Sequence, residues 1–316
     1  MTSALFPSVD LKHALSGAQL AALPQSAIRL LELSQDANNG PAEFAGAIES
    51  DPGLTGQVLR FVNSSYFGFS REISSVKLAL ALVGIRTIKN FALWSAVFSL
   101  MPNPRCGPFD LRILWQDSLR RALFARTLGQ LLGLKEAEDL FSAALLQDMA
   151  VPLLAKAAPE AYGKLLTARR QSGIRLSALE RTAFGWTHAT AAALLGHQWN
   201  LPEAFVQLLE GHLDIDRYGS DPGCDARQAA VALSALLPTV ADPFWDECEA
   251  FEGFYAKTGA ADRMPVAVLL ARIDSEFADF APVLKLRQPS KTLVESYEEA
   301  IAAASQGALA TQGQDR

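Results

Sequence analysis

Residues 51–68 read DPGLTGQVLRFVNSSYFG, and this stretch carries signals for both ends of a helix. Asp51 offers a side-chain oxygen that can cap a helix, and Pro52 suits the first helical position, where no backbone N–H is needed. Asn63 and Ser64 follow the last apolar residue of the run and are typical of a turn at a helix end. The stretch therefore predicts a helix that begins at Pro52 and ends near Asn63.

The same pattern continues on both sides of this stretch. Apolar residues recur at spacings of three and four between the glycines and prolines, and alternating strand-like stretches are nearly absent. The sequence therefore predicts an all-α fold. In the N-terminal part, further helices are expected at residues 24–33, 41–49, 75–84 and 86–100. Beyond residue 109, helices are expected at residues 110–132, 136–148, 159–171, 187–199, 226–237, 243–257, 265–280 and 290–303.

A proline-rich segment divides the chain. Residues 101–108, MPNPRCGP, contain three prolines and one glycine, a composition that no helix tolerates. We therefore predict an N-terminal helical subdomain at residues 1–101, a linker at 102–109 and a helical bundle with C-terminal helices at 110–304. The small polar residues 305–316 predict a disordered tail. A groove is expected where the two helical units meet.

Composition limits the class of protein. Half of the 316 residues are hydrophobic, and 28 basic residues against 34 acidic ones give a net charge of -6. Because nucleic-acid binders need a basic excess, no nucleic-acid partner is expected. No secretory signal and no uninterrupted apolar run of about 18 residues is found, so we expect a cytoplasmic protein without a membrane span. Cys106, Cys224 and Cys248 are far apart and are interpreted as ordinary thiols.

The motifs of the N-terminal half occur in a characteristic order. Residues 44–55 (FAGAIESDPGLT) lead into residues 63–68 (NSSYFG), and residues 73–76 (ISSV) precede an apolar helix closed by residues 83–84 (VG). This series resembles the HDOD domain, a helical relative of the HD and HD-GYP phosphohydrolases found in bacterial signalling proteins. The resemblance covers roughly residues 20–212 and implies an N-terminal helical subdomain packed on an HD-like helical bundle.

The resemblance also implies where a metal site would lie. HD-type hydrolases hold metal ions with histidines and aspartates, and the ion turns a bound water into a nucleophile. In this sequence the first histidine is replaced by Asp117, and the histidine of the His-Asp pair by Gln147, with Asp148 retained. The late aspartate falls at Ser234. Glutamine and serine offer only neutral oxygens, so we expect no metal, no cofactor and no catalysis.

The later histidines of the family match His188 and His212, which leaves a vestigial pocket. The predicted ligand-binding residues of this pocket are Asp117, Gln147, Asp148, His188 and His212. Asp148 is expected to be buried, with His188 or His212 as its partner. Asp117 lies four residues before Arg121, which favours a surface ion pair between them. His197 lies nine residues after His188, on the opposite side of one helix, and is expected to face solvent.

The resemblance implies a non-catalytic bacterial signal-transduction regulator that binds a partner protein or a small ligand. Its partner would be another signalling protein of a two-component or cyclic-dinucleotide pathway. The alternative is a divergent metal-dependent phosphohydrolase that uses Asp117, Asp148, His188 and His212. A purely structural adaptor that binds no small molecule is a third possibility. Glycine-rich nucleotide loops and the Gly-x-Ser-x-Gly motif are absent from the sequence, so other common enzyme classes have no support.

Overall fold

The structure is a computed structural model in which every regular element is a helix. It describes residues 10, 11, 15, 22–33, 36, 38–220 and 225–314. No strand occurs within these residues, so the predicted all-α fold is confirmed. Cys224 lies outside the described residues, whereas Cys106 and Cys248 are buried free cysteines.

Five described helices form the N-terminal part. They are α1 (Gln25–Leu33), α2 (Pro41–Glu49), α3 (Pro52–Val62), α4 (Val76–Val83) and α5 (Ile85–Leu100). The Asp51 carboxylate caps α3 as expected, because Oδ1 accepts the Leu54 N–H at 3.0 Å. Its Oδ2 accepts the Ser26 hydroxyl at 2.9 Å. The cap of α3 therefore also ties this helix to α1.

The loop after α3 is closed by Asn63. The φ of Asn63 is -84°, so this residue does not use the left-handed conformation that asparagine tolerates at helix ends. Its side chain instead pairs with Ile73, donating from Nδ2 at 2.8 Å and accepting at Oδ1 at 2.7 Å. The enclosed loop directs Phe67 edge-on against Phe61, with ring centroids 4.9 Å apart. Tyr66 and Phe67 are therefore partly buried against the core, whereas Phe69 is exposed.

The remaining helices form the C-terminal bundle. They are α6 (Leu111–Leu131), α7 (Ala137–Leu146), α8 (Ala150–Ala157), α9 (Pro159–Ser172), α10 (Leu176–Phe184), α11 (His188–Gln198), α12 (Glu203–Gly211), α13 (Ile215–Ser220), α14 (Ala226–Ser234), α15 (Cys248–Lys257), α16 (Val266–Phe280) and α17 (Leu293–Gln314), with a 3₁₀ turn at Ala281–Leu284. The sequence does not predict α8, α10, α12 and α13, which are helices of six to nine residues.

The last helix corrects the predicted tail. The helix α17 continues to Gln314, so residues 305–314 are helical and not disordered. Alanines recur through this stretch, and alanine has the highest intrinsic helix propensity. Small residues therefore extend a helix here, although their composition resembles that of a flexible tail.

The proline-rich linker does not separate two cores. Buried apolar residues on both sides of it belong to one continuous cluster. Phe280 of α16 packs against Phe61 and Tyr66 at ring-centroid distances of 5.4 and 5.2 Å. Phe98 of α5 stacks on Trp115 of α6 at 3.6 Å. The apolar faces of the two units therefore pack against each other, and the cavity described below lies within the bundle.

The linker packs closely on α9. Gly107 has a φ of +51°, and a Cβ at this position would lie 3.0 Å from the carbonyl oxygen of Gly163. The preceding Cys106 thiol contacts the carbonyl of Pro159 at 3.1 Å. A glycine is needed because the two backbones approach closely at a positive φ.

One stretch of the described chain is long and apolar enough to cross a membrane by length and composition. It spans residues 137–157, and 89% of its most apolar window is buried inside the protein. Asp139 and Asp148 interrupt it, so a search for uninterrupted apolar runs does not find it. This stretch forms α7 and α8 in the core of the bundle.

Candidate functional site

A cavity of about 440 Å³ opens in the bundle between α6, α9 and the segment that joins α14 to α15. Four of the five predicted site residues line it, namely Asp117, Asp148, His188 and His212. Gln147 is fully buried and is not among the lining residues. Short helices bring these residues together, since Asp148 precedes α8, His188 begins α11 and His212 follows α12.

Asp148 pairs with charged and polar side chains on both of its oxygens. Its Oδ2 forms an ion pair with Nη1 of Arg121, and its Oδ1 lies 3.2 Å from Nε2 of His188. His212 Nε2 is 3.7 Å from the same oxygen. Burial by itself would raise the pKa of Asp148, but the Arg121 charge and the His188 hydrogen bond hold this pKa well below its usual range. The expectation that Asp148 is buried beside these histidines is confirmed.

His188 lies between two carboxylates. Its Nδ1 is 2.7 Å from Oε2 of Glu180, which also accepts the His188 backbone N–H at 2.9 Å. The other oxygen of Glu180 accepts the Tyr162 hydroxyl at 2.7 Å. Burial lowers the pKa of His188, but the Glu180 charge and then Asp148 outweigh it and raise this pKa to about 10. His188 is therefore an imidazolium at neutral pH.

His212 is the neutral member of the histidine pair. Burial, together with the nearby His188 charge, lowers the pKa of His212. Its Nδ1 donates to the Leu209 carbonyl at 2.6 Å, and its Nε2 lies 3.3 Å from Nε2 of His188. A neutral ring protonated at Nδ1 has a lone pair on Nε2. His212 can therefore accept a hydrogen bond from the Nε2–H of His188, which also lies 3.2 Å from Asp148.

Asp117 has a different role from the surface ion pair that its spacing suggests. It is 5% exposed, and its Oδ1 accepts the backbone N–H of Val240 at 2.7 Å. Burial raises the pKa of Asp117 to about 6, and the Arg121 charge offsets only part of this effect. Because α6 turns both residues into the bundle, Arg121 reaches Asp148 and not Asp117. Asp117 anchors the segment that contains Val240.

Gln147 and Ser234, which replace two of the family's metal ligands, lie next to each other. The Ser234 hydroxyl is 3.4 Å from Oε1 of Gln147 and donates to the Val231 carbonyl at 2.6 Å. The buried Nε2 of Gln147 has no hydrogen-bond partner among the described residues. Gln147 and Ser234 are therefore buried in the core beside the cavity and do not line the cavity.

The residues present match the metal centre of the HD hydrolases only in part. Asp148, His188 and His212 each offer a ligand atom, and these atoms lie within 4.8 Å of one another. The Arg121 guanidinium, however, already neutralises Asp148. The Nε2 atom of His188, which an ion would need, lies 3.2 Å from Oδ1 of Asp148. Asp117 accepts the backbone N–H of Val240 and is not part of this cluster.

Sequence reasoning missed the residues that complete the site. Glu180 holds His188, Tyr162 donates to Glu180, and neither residue belongs to a motif. Glu180 and Ser177 lie three residues apart on the buried face of α10. A charged residue on an inward helical face is the signal that could have identified Glu180, had this short helix been predicted.

The all-helical bundle thus brings one aspartate and two histidines together at a single cavity. The HDOD domain matches residues 20–215, which is more than half of the chain. This chain therefore belongs to the HDOD domain family.

Solved structures share the fold. An HDOD domain protein of unknown function from Geobacter sulfurreducens has a TM-score of 0.68 and 21% identity, covering 88% of this chain and 99% of that one. A candidate phosphohydrolase from Shewanella amazonensis SB2B has a TM-score of 0.65 and 20% identity, covering 86% and 98%. A candidate signal transduction protein from Marinobacter aquaeolei VT8 has a TM-score of 0.65 and 19% identity, covering 90% and 62%.

One curated relative also matches by sequence. It is an uncharacterized protein of Treponema pallidum (strain Nichols), 24% identical over 197 residues. The match covers 61% of this chain and 38% of that relative. At these identities the likeness to the solved structures establishes the fold.

Proposed function

We propose that this chain is a non-catalytic, cytoplasmic bacterial signal-transduction regulator that binds a small ligand or a partner protein through its HDOD domain. The observation that carries the proposal is the Arg121 guanidinium on Asp148, at the position where the family resemblance places a metal ligand. Another signalling protein, of a two-component or cyclic-dinucleotide pathway, is the proposed partner. The acidic net charge of -6 argues against nucleic acid.

The charges of the site support a role in binding. Arg121 and His188 supply two positive charges, and Asp148 and Glu180 supply two negative ones. A hydrolase of the HD type needs an open ion that lowers the pKa of a bound water. The positive charges here belong to side chains that carry protons and cannot coordinate a water oxygen. The cluster is therefore suited to holding the bundle together beneath a cavity.

The alternative function, a metal-dependent phosphohydrolase, has one observation in its favour. The ligand atoms of Asp148, His188 and His212 are close enough together to hold an ion. Such an ion would require Arg121 to leave Asp148 and His188 to lose its proton. The two functions therefore differ in whether this protein takes up metal.

The first experiment measures metal content and hydrolysis. The full chain is purified, dialysed, analysed for iron, manganese and zinc, and assayed with nucleotides and cyclic dinucleotides. We expect no stoichiometric metal and no turnover. One equivalent of metal retained through dialysis, together with phosphodiester hydrolysis, would establish the alternative.

A pair of variants tests the part played by Arg121. Arg121→Gln removes the guanidinium from Asp148, and we expect it to gain affinity for manganese or zinc. Arg175→Gln is the matched control, since Arg175 lines the same cavity but pairs with Glu247. Equal metal affinity in the wild type and both variants would show that Arg121 does not exclude an ion.

A further inference from the structure

One side of the cavity is covered by an irregular segment, residues 235–247, which we call the strap. It joins α14 to α15 and has no regular secondary structure. Every strap residue except Leu236 lines the cavity. Whatever binds in the cavity therefore lies against the strap.

Two arginines hold the strap through ion pairs. Arg169 donates from Nη2 to both carboxylate oxygens of Asp242, each at 2.9 Å. Arg175 lies 2.6 Å from Glu247 through Nε and donates from Nη2 to the Ala235 carbonyl at 2.9 Å. These side chains are partly exposed, at 25% and 24% for the first pair and 29% and 32% for the second. Solvent and solutes can therefore reach both pairs.

Arg121, Arg169 and Arg175 are close enough to influence the same ionisable groups. Burial lowers the pKa of Arg175, Glu247 opposes this, and the positive charges of Arg121 and Arg169 lower it further. Burial raises the pKa of Glu247, and the charges of the same three arginines lower it. Several positive charges therefore converge on the face of the cavity that the strap carboxylates occupy.

The two sides of these ion pairs differ in how firmly they are held. Arg169 lies in the last turn of α9, and Arg175 directly precedes α10. Asp242 and Glu247 belong to the irregular strap. Helices packed in the core keep their places. Within the strap, residues 235–239 and Trp245 are buried, whereas residues 240–244 and Glu247 are partly or fully exposed and open at lower cost. The carboxylates are therefore the partners that can be exchanged.

We propose that Arg169 and Arg175 form an oxyanion site, occupied by Asp242 and Glu247 in the ligand-free protein, from which a phosphoryl group displaces both carboxylates and releases the strap. The planar guanidinium matches the oxygens of a phosphate, and one dianion can replace two single carboxylates. The cavity of about 440 Å³ is within the range for small-molecule sites. The proposal rests on the proposed ligand-binding function and names its ligand class.

Release of the strap would change the surface offered to a partner. Phe244 at the tip of the strap is 69% exposed. Its neighbour Trp245 is buried, donates from Nε1 to the Leu236 carbonyl at 2.8 Å and packs on Phe251 with ring centroids 5.1 Å apart. Freeing the carboxylates on both sides of these aromatic residues would expose Trp245. Ligand binding would thereby be converted into a change at the surface.

The test measures phosphate binding to the full chain by calorimetry in a buffer with EDTA. Asp242→Asn and Glu247→Gln remove the internal competitors, so each should bind inorganic phosphate about fivefold more tightly than the wild type. Arg169→Gln and Arg175→Gln should bind it about fivefold more weakly or not at all. Asp246→Asn is the matched control, because Asp246 lies on the same strap, is exposed and has no arginine partner among the described residues.

Phenyl phosphate provides the second arm, and amide exchange provides the second readout. Tighter binding of phenyl phosphate than of inorganic phosphate would assign the site to a phosphorylated organic molecule, and equal binding would assign it to free phosphate. Saturation with either ligand should speed hydrogen exchange of the Val240 amide, which Asp117 holds in the ligand-free protein.

The proposal is overturned if Asp242→Asn and Glu247→Gln bind no more tightly than Asp246→Asn, or if exchange is unchanged at saturation. Metal uptake and turnover do not enter this measurement, so failure of the proposed function would be seen separately.

Discussion

Arg121 places a permanent positive charge against Asp148, and that single contact sets the chemistry of the pocket. An arginine stays charged at any physiological pH and donates hydrogen bonds. Unlike a metal ion, it has no open coordination position at which a water could bind and be activated. His188 adds a second positive charge on the other oxygen of the same carboxylate. The side chains of the protein thus satisfy an aspartate that a metal ion would satisfy in a hydrolase.

Removing Asp148 should destabilise the fold strongly. Asp148→Ala leaves Arg121 and the His188 imidazolium buried without one of their counter-charges, so we expect the free energy of unfolding to fall by about 3 to 5 kcal/mol. Asp148→Asn keeps the shape but loses the charge and should also be destabilised. Urea denaturation at neutral pH gives both values relative to the wild type. If both Asp148 variants unfold with the wild type, the carboxylate has no structural role.

Asp117 should make the stability of the protein depend on pH between about 4 and 6. Its pKa is raised by burial from 3.8 to about 6, so the folded protein binds this proton more tightly than the unfolded chain. Its contribution to stability is fully present below the unfolded pKa and is lost as the pH rises through about 6. A pKa shift of about two units corresponds to about 3 kcal/mol in the free energy of unfolding.

The measurement compares wild type with Asp117→Asn across this range. Asparagine can still accept the Val240 N–H but does not titrate. Relative to this variant, the wild type should lose stability from pH 4 to pH 7, because only the wild type must bury a charge at the higher pH. Parallel stability curves for the two proteins would contradict the raised pKa.

Short helices and their ends determine which residues reach the pocket. The helices α8, α11 and α12 place Asp148, His188 and His212 at their ends, where the chain turns and side chains can converge. Turns between short helices need residues that tolerate unusual backbone angles. Gly84, between α4 and α5, is the clearest case, with φ at +95° and ψ at 147°.

Gly84→Ala should therefore lower the free energy of unfolding by about 1 to 3 kcal/mol, the cost of forcing a non-glycine residue into this region. No atom lies within 4 Å of a Cβ built at Gly84, so the effect would come from the backbone alone. Gly46→Ala is the control, because Gly46 is exposed within α2 and also has space for a Cβ. In a helix interior, alanine should be neutral or stabilising. Thermal unfolding of both variants provides the test, and equal effects would count against the argument.

The whole molecule has one core that spans the linker. Phe280 contacts Phe61, Tyr66 and Phe141, so residues from both sides of the proline-rich segment surround a single ring. Because these apolar surfaces cover each other, neither part can unfold without exposing the core of the other. The two parts should therefore behave as one cooperative unit.

Denaturation should show a single transition, and Phe280→Ala should lower the free energy of unfolding by about 3 to 5 kcal/mol. The aromatic ring of Phe280 is 1% exposed, and its loss would leave a cavity at the boundary. Phe244→Ala removes an exposed ring and should leave stability unchanged. Circular dichroism and tryptophan fluorescence should give coincident curves. Two separate unfolding transitions would show that the linker divides two independently folding domains.

The sequence by itself determined the helical class, the family and several helix ends, because these signals lie within one or two turns of chain. The cap at Asp51 and the closing glycine at Gly84 occur where the local pattern predicts them. Four of the five residues that the family resemblance assigns to the pocket line the cavity.

Only the tertiary structure decided what those residues do. Arg121 and Asp148 are 27 residues apart, and Arg169 and Asp242 are 73 apart, so no local pattern indicates that they pair. The spacing of Asp117 and Arg121 suggests an ion pair on one helix, but burial and a closer carboxylate favour Asp148. Such partners depend on which helical faces meet when the apolar core closes, and that choice is made by the packing of the whole chain.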